Sequence, residues 1–211
     1  MKYIINNEEY EVVIEKKNNK NTYIRVKEDL KIYVTTNYFV SKSYIKSLLD
    51  NNIDYLENML NKRKQQLERN ACFYYLGNKY DIILVSSFDS LEVLGNKIYA
   101  KDNKMVEKWY KKQMESLFKE RLLLNYNQFE EDIPFPNLKI RNMKTRWGVC
   151  NKKSKTITLN SNLMKYDITK LDYVIIHELS HFIYFDHSSN FWNLVAKYCK
   201  NYKKVRKELR D

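Results

Sequence analysis

Tyr173-Val174-Ile175-Ile176-His177-Glu178-Leu179-Ser180-His181-Phe182-Ile183-Tyr184-Phe185-Asp186-His187 is the stretch on which the reading of this chain turns. Its apolar run predicts a helix from Leu171 through Tyr184, opened by Thr169 and Asp172 as a capping box. Residues four apart on a helix face the same way, with Cβ atoms about 5–6 Å apart, so His177 and His181 can present their imidazoles to one cation. Glu178 is rotated about 100° from His177. It therefore lies off the coordination axis, where a carboxylate can take a proton from a water on the ion's open position.

His187 is the natural third ligand, but a continuous helix would carry it roughly 9 Å past His181 and about 240° around the axis. The helix must end first. Asp186, Ser188, Ser189 and Asn190 are residues that cap a new helix, and Phe191, Val195, Tyr198, Tyr202, Val205 and Leu209 continue at intervals of three and four as its apolar stripe. A lone helical histidine is usually structural. Here, however, all three histidines of the chain fall within eleven residues, in a spacing that coordination requires and packing does not. Three ligands with one open position describe a catalytic zinc site, hence one Zn2+ per chain. Cys72, Cys150 and Cys199 never form a C-x-x-C pair and read as reduced thiols rather than ligands.

Outward from this segment, residues 138–143 and 156–159 read as strands flanking the loop-forming Asn151–Lys155. Thr156–Leu159 alternates as an edge strand would, able to hold an extended peptide, and Gly148 would let its backbone approach. The same residues read equally well as structure, with Trp147 in the core, Arg146 paired to a carboxylate and Gly148 in a turn. Residues 103–129 form a long amphipathic helix on Val106, Tyr110, Met114, Leu117 and Phe118, ended by Ile133-Pro134-Phe135-Pro136-Asn137. Residues 73–99 are short strands with turns at Gly77-Asn78 and Gly95-Asn96. Strands at 10–15, 22–26 and 31–35 suggest a small antiparallel sheet, followed by a helix near 41–68 that begins at Ser41 and fades into a charged run at 61–70. The run is either a linker or a solvated helix end. The expected class is α+β: a β-rich region over 1–100 and a metallohydrolase unit over 101–211, or one continuous domain built from both.

Hydrophobic residues make up 44% of the 211, which excludes a disordered chain. No apolar window reaches the length of a membrane span or follows a basic N-terminal region, so a cytoplasmic protein without a membrane partner is expected. The net charge of +12 makes nucleic acid a second class of partner. Yet lysine outnumbers arginine thirty to eight, a bias that an AT-rich genome produces without functional cause.

Residues 143–150 (MKTRWGVC), 156–164 (TITLNSNLM) and 173–192 (YVIIHELSHFIYFDHSSNFW) together resemble the signature block of the YgjP-like metallopeptidase family, whose relatives include SprT-like proteins and other small zincins. The resemblance extends over nearly the whole chain. It implies a zincin-type α+β fold, His177, His181 and His187 as zinc ligands, Glu178 as catalytic base, and a peptide or protein substrate. Val149 replaces the family's usual Ser, and Tyr184 stands where zincins with a longer motif carry Gly. Two other functions stay open: hydrolysis of a phosphoanhydride by the same activated water, and nucleic-acid association with a structural metal.

Overall fold

A computed structural model describes residues 1–210, the side chains of residues 69–71 excepted. The chain divides into two compact units, Met1–Ala71 and Cys72–Asp211.

In the first unit, β1 (Lys2–Ile5) and β2 (Glu8–Lys16) form a hairpin closed by Asn6 and Asn7, both at positive φ. β3 (Tyr23–Val26) pairs antiparallel with β4 (Ile32–Thr36), but β4 runs parallel to β2, giving the order β1-β2-β4-β3. The sheet is therefore mixed, where the alternation suggests an antiparallel one. Alternation has a period of two in either pairing, so it carries no directional information. The helical stretch is likewise divided into α1 (Lys42–Asp50) and α2 (Ile53–Ala71). Ser41 caps α1 by accepting from the Tyr44 amide at 3.2 Å. Ile45 and Leu49 of α1 and Leu56 and Leu60 of α2 join Val12, Ile32 and Val34 in one core, which keeps the apolar period intact across the break.

The second unit opens with β5 (Phe73–Tyr75), β6 (Asn78–Leu84), β7 (Glu92–Leu94) and β8 (Lys97–Ala100) in the order β5-β6-β8-β7. Leu76 and Gly77, both at positive φ, make the β5–β6 turn. The sequence suggests two units, 1–100 and 101–211, and the charged run at 61–70 as the best internal boundary. Residues 72–100 instead belong to the same unit as the C-terminal half of the chain: Ile98 and Ala100 are buried with Val106 at the start of α3 (Asn103–Tyr126), and the Leu76 amide donates to the Met164 carbonyl. Next come β9 (Asn137–Arg141), β10 (Gly148–Asn151) and β11 (Thr156–Asn160), in the order β10-β11-β9. Thr156–Leu159 thus lies in the central strand, between antiparallel β10 and parallel β9, and the two edges of the sheet are β10 and β9. Its alternation reflects packing under α4 rather than exposure, for Ile157 and Leu159 are fully buried.

A 3-10 turn at Ser161–Lys165 leads into α4 (Ile168–Ser180), then α5 (Ser189–Tyr198) and α6 (Tyr202–Arg210). Asp167, not Thr169, caps α4, accepting from the Thr169 amide at 3.1 Å. The single C-terminal helix expected from periodicity is two helices, broken at Cys199–Asn201, where Cys199 leaves helical geometry. The apolar period survives because Val195, Val205 and Leu209 all return to the core around α4.

Asp172 is freed from capping and instead locks α4 to α3. Arg121 meets it in a bidentate pair, Nε to Oδ1 at 2.8 Å and Nη2 to Oδ2 at 2.6 Å, and buried Asn125 donates to the same carboxylate at 2.9 Å. No helix among the described residues is long and apolar enough to cross a membrane. Asp172→Ala leaves the guanidinium and Asn125 amide without their shared acceptor, and is expected to cost about 2–3 kcal/mol in chemical denaturation. Asp172→Asn, keeping one acceptor, should cost less.

Candidate metal centre

The centre is assembled from the end of α4, the turn after it and the start of α5. α4 carries His177 and Glu178 and stops at Ser180, with His181 as its C-cap. The chain then tightens: Phe182 N donates to Leu179 O at 3.0 Å, and Ile183 N and Tyr184 N both donate to Ser180 O, at 3.1 and 3.0 Å. None of residues 181–188 takes a positive φ, so Tyr184 occupies its position without the conformational freedom of glycine.

This turn carries His187 back over α4. The three imidazoles lie with ring centroids 4.9–5.0 Å apart in every pairing. His187 Nε2 and His177 Nε2 face each other at 3.1 Å, and one ring nitrogen from each histidine falls within 4.8 Å of the others. The rings rest on a shared floor: Phe191, fully buried on the first turn of α5, stacks on His181 and meets the other two edge-on, with centroids 4.6–4.9 Å apart. Trp192 stacks on the outer face of exposed His187 at 5.5 Å, and Tyr202 stacks on Trp192 at 5.4 Å. Phe191 reads in sequence only as core, and Trp192 does not stand out there. The available signal is the aromatic pair four and five residues after the last histidine, on a helix that begins beside it.

Protonation states suit a cation. Burial, reinforced by its two histidine neighbours, pushes His177 down to about 3, and burial also lowers His181. Both stay neutral, as ligating imidazoles must. His181 Nδ1 lies 3.1 Å from the Tyr184 carbonyl, which can only accept. That contact fixes the proton on Nδ1 and leaves Nε2 with its lone pair free. His177 Nδ1 is buried without a partner among the described residues, so this ring has no competing protein acceptor to turn it away from His187. Two nitrogens bound tetrahedrally to zinc at about 2.0–2.1 Å would be roughly 3.3 Å apart. The His177–His187 separation is within a few tenths of that value, and the donor set fits a divalent ion of zinc's preferences.

Glu178 faces the other way, into the sheet. It is 5% exposed, and burial pushes its carboxyl up to about 8, opposed by a hydrogen bond from the Cys150 backbone amide and by the charge of Arg146. The carboxylate occupies space that a side chain on β10 would need: a Cβ on Gly148 would meet Glu178 Oε1 at 2.5 Å, Cγ at 2.7 Å and Cδ at 2.8 Å. Gly148 is therefore a strand residue selected for close approach, not a turn. The loop before it is clamped by buried Asn160, whose side-chain amide donates to Met143 O at 2.7 Å and Arg146 O at 2.8 Å. Trp147 is partly buried, packing edge-on to Tyr166 and donating from Nε1 to Leu209 O at 3.0 Å. Arg146 forms no ion pair with a described residue and lines a cavity beside Glu178. Burial and the neighbouring Glu178 push the Cys150 thiol up to about 12, so it is unreactive at neutral pH.

With fold and geometry in view, the comparisons with known proteins are decisive about family. The model described as YgjP-like, metallopeptidase domain, matches residues 20–211. The chain belongs to the YgjP-like metallopeptidase family, as the resemblance in residues 143–192 implies. It is also similar to two metallopeptidase zymogens of known crystal structure. Abylysin of Pyrococcus abyssi is 25% identical with a TM-score of 0.36, over 46% of this chain and 90% of that one. Jannalysin of Methanocaldococcus jannaschii is 27% identical with a TM-score of 0.34, over 46% and 96%. No curated protein matches.

Gly148→Ala is expected to expel the Glu178 carboxylate from its bond to the Cys150 amide and to cost about 1–3 kcal/mol through overpacking. A crystal structure of the variant with thermal denaturation checks both. An unmoved Glu178 would show that the strand, not the carboxylate, yields.

Proposed function

We propose that this protein is a zinc metallopeptidase in which His177, His181 and His187 hold the ion and Glu178 is the general base. The observation that carries the reading is the convergence of three imidazoles from one helix, its C-cap and the turn that follows, two of them held neutral by burial, with a buried carboxyl on the residue after the first histidine. When bound, zinc supplies Lewis acidity that polarises a carbonyl and acidifies water.

The remaining chemistry belongs to the chain. Glu178 takes the proton of the attacking water and returns it to the departing amine nitrogen, two transfers that one carboxyl group can make in turn. A carboxyl pushed up to about 8 suits such a shuttle, because it accepts a proton more readily than an ordinary carboxylate and still releases it. The Cys150 amide and the cradle at Gly148 fix its position between transfers. β10, the edge of its sheet that lies beside Glu178, offers an extended peptide a strand to pair with, in place of the edge suggested by Thr156–Leu159. Tyr184 directs the His181 ring through its carbonyl and holds the tautomer.

Elemental analysis of the purified chain is expected to give about one zinc per molecule, and His187→Ala much less. Glu178→Gln should keep the zinc while losing about 10²–10⁴-fold in cleavage of an unstructured protein. Zinc present with no cleavage of any peptide, but with hydrolysis of a nucleoside triphosphate, would transfer the reading to phosphoanhydrides. Metal absent after zinc reconstitution would overturn it.

A further inference from the structure

We propose that the cavity beside Glu178 binds a carboxylate of the substrate, from an acidic side chain or a free peptide C-terminus, on Arg146, Arg206 and Arg210. This rests on the peptidase reading and names the substrate class that the same centre selects.

The cavity has a volume of about 410 Å³ and includes both His177 and Glu178 in its wall. That volume lies in the range of small-ligand pockets, roughly 300–1,000 Å³. Only eight of the chain's 38 basic residues are arginine, and three of the eight line this one cavity. Among the described residues the lining includes a single carboxyl group, Glu178, which is already engaged with the Cys150 amide. None of the three guanidiniums forms an ion pair with a described residue. Among the described residues, three guanidiniums and one carboxyl group line this wall, an excess of positive charge that suits an anion. A bidentate fork fits a carboxylate better than a lysine's point charge would, and the composition elsewhere overwhelmingly supplies lysine.

One of the three guanidiniums is held in place before any ligand arrives, and the helix turn that carries a second is anchored. Arg206 lies over the Trp192 ring at 4.4 Å, and that ring is itself stacked on Tyr202. Arg210 follows Leu209, whose carbonyl accepts from Trp147 Nε1, so the last turn of α6 is tied to the residue preceding β10. Preorganisation of this kind reduces the ordering cost of binding. Trp147, Val174 and Leu209 add apolar surface to the lining, suited to the carbon stem that carries the carboxylate. Because Glu178 shares the wall, an anchored carboxylate would set the neighbouring peptide bond beside the base.

Calorimetry on zinc-reconstituted Glu178→Gln protein tests this without turnover. The ligands are three peptides of one sequence: a Glu side chain with an amidated C-terminus, Gln with a free C-terminus, and Gln with an amidated C-terminus. Inorganic phosphate is a fourth. One of the first two should bind roughly tenfold to hundredfold more tightly than the third, and which one identifies the source of the carboxylate. Adding Arg206→Gln and Arg210→Gln should bring that ratio close to one. Arg206→Lys, which keeps the charge and loses the fork, should lower it partway, with circular dichroism confirming the fold of each variant. Equal binding of all three peptides overturns the proposal, as does tight phosphate binding without carboxylate preference. Wild-type protein that cleaves none of the peptides while the preference persists would sink the peptidase reading alone; cleavage without preference would sink the cavity assignment alone.

Discussion

A helix continued past Ser180 would carry His187 roughly 9 Å beyond His181 and about 240° away from it. Everything at the centre depends on the chain not doing this. α4 ends within one residue of His181, the amides of Ile183 and Tyr184 converge on the Ser180 carbonyl, and the chain reverses tightly enough to bring His187 Nε2 to 3.1 Å from His177 Nε2. The residue that helps end the helix also orients one of its rings, since the Tyr184 carbonyl lies 3.1 Å from His181 Nδ1. Helix termination and ring orientation are therefore one event, and Phe191 under all three rings holds the result against the core.

Glu178 is subject to a second constraint. A carboxyl group 5% exposed is costly to ionise unless a donor is aimed at it, and β10 supplies one backbone amide. The amide reaches because Gly148 has no Cβ, and the strand is held there because Asn160 gathers the carbonyls of Met143 and Arg146. The short sheet and α4 thus meet at a polar contact inside an apolar core of Ile157, Leu159, Ile175 and Leu179. The burial that this contact requires is also what raises the carboxyl's proton affinity.

How much of this is legible in the sequence differs by element. The histidine spacing is a local, helical signal, so the proximity of His177 and His181 and the need for a turn before His187 can be read directly. Helix ends are harder to read, because Val205 and Leu209 keep the apolar period across the break at Cys199–Asn201. Strand order is not legible at all: Thr156–Leu159 has the alternation of an edge yet lies between two partners, and β2 and β4 run parallel despite a pattern that fits hairpins. Gly148 stands out as a point of close approach. Its neighbour, the carboxylate thirty residues on, is a tertiary fact that no spacing encodes. Arg146 likewise stands far from Arg206 and Arg210 along the chain, and only the fold of α6 beside the loop preceding β10 brings the three together.

Val205 and Leu209 of α6 are buried in the core, while Arg206 and Arg210 each lie one residue further on and line the cavity. Successive helical positions differ by about 100°, so the two pairs occupy separate stripes. Folding and recognition are consequently written in different registers of the same nine residues. One register can drift while the other stays fixed, which makes this helix the part of the molecule where selectivity is free to evolve with little loss to the scaffold.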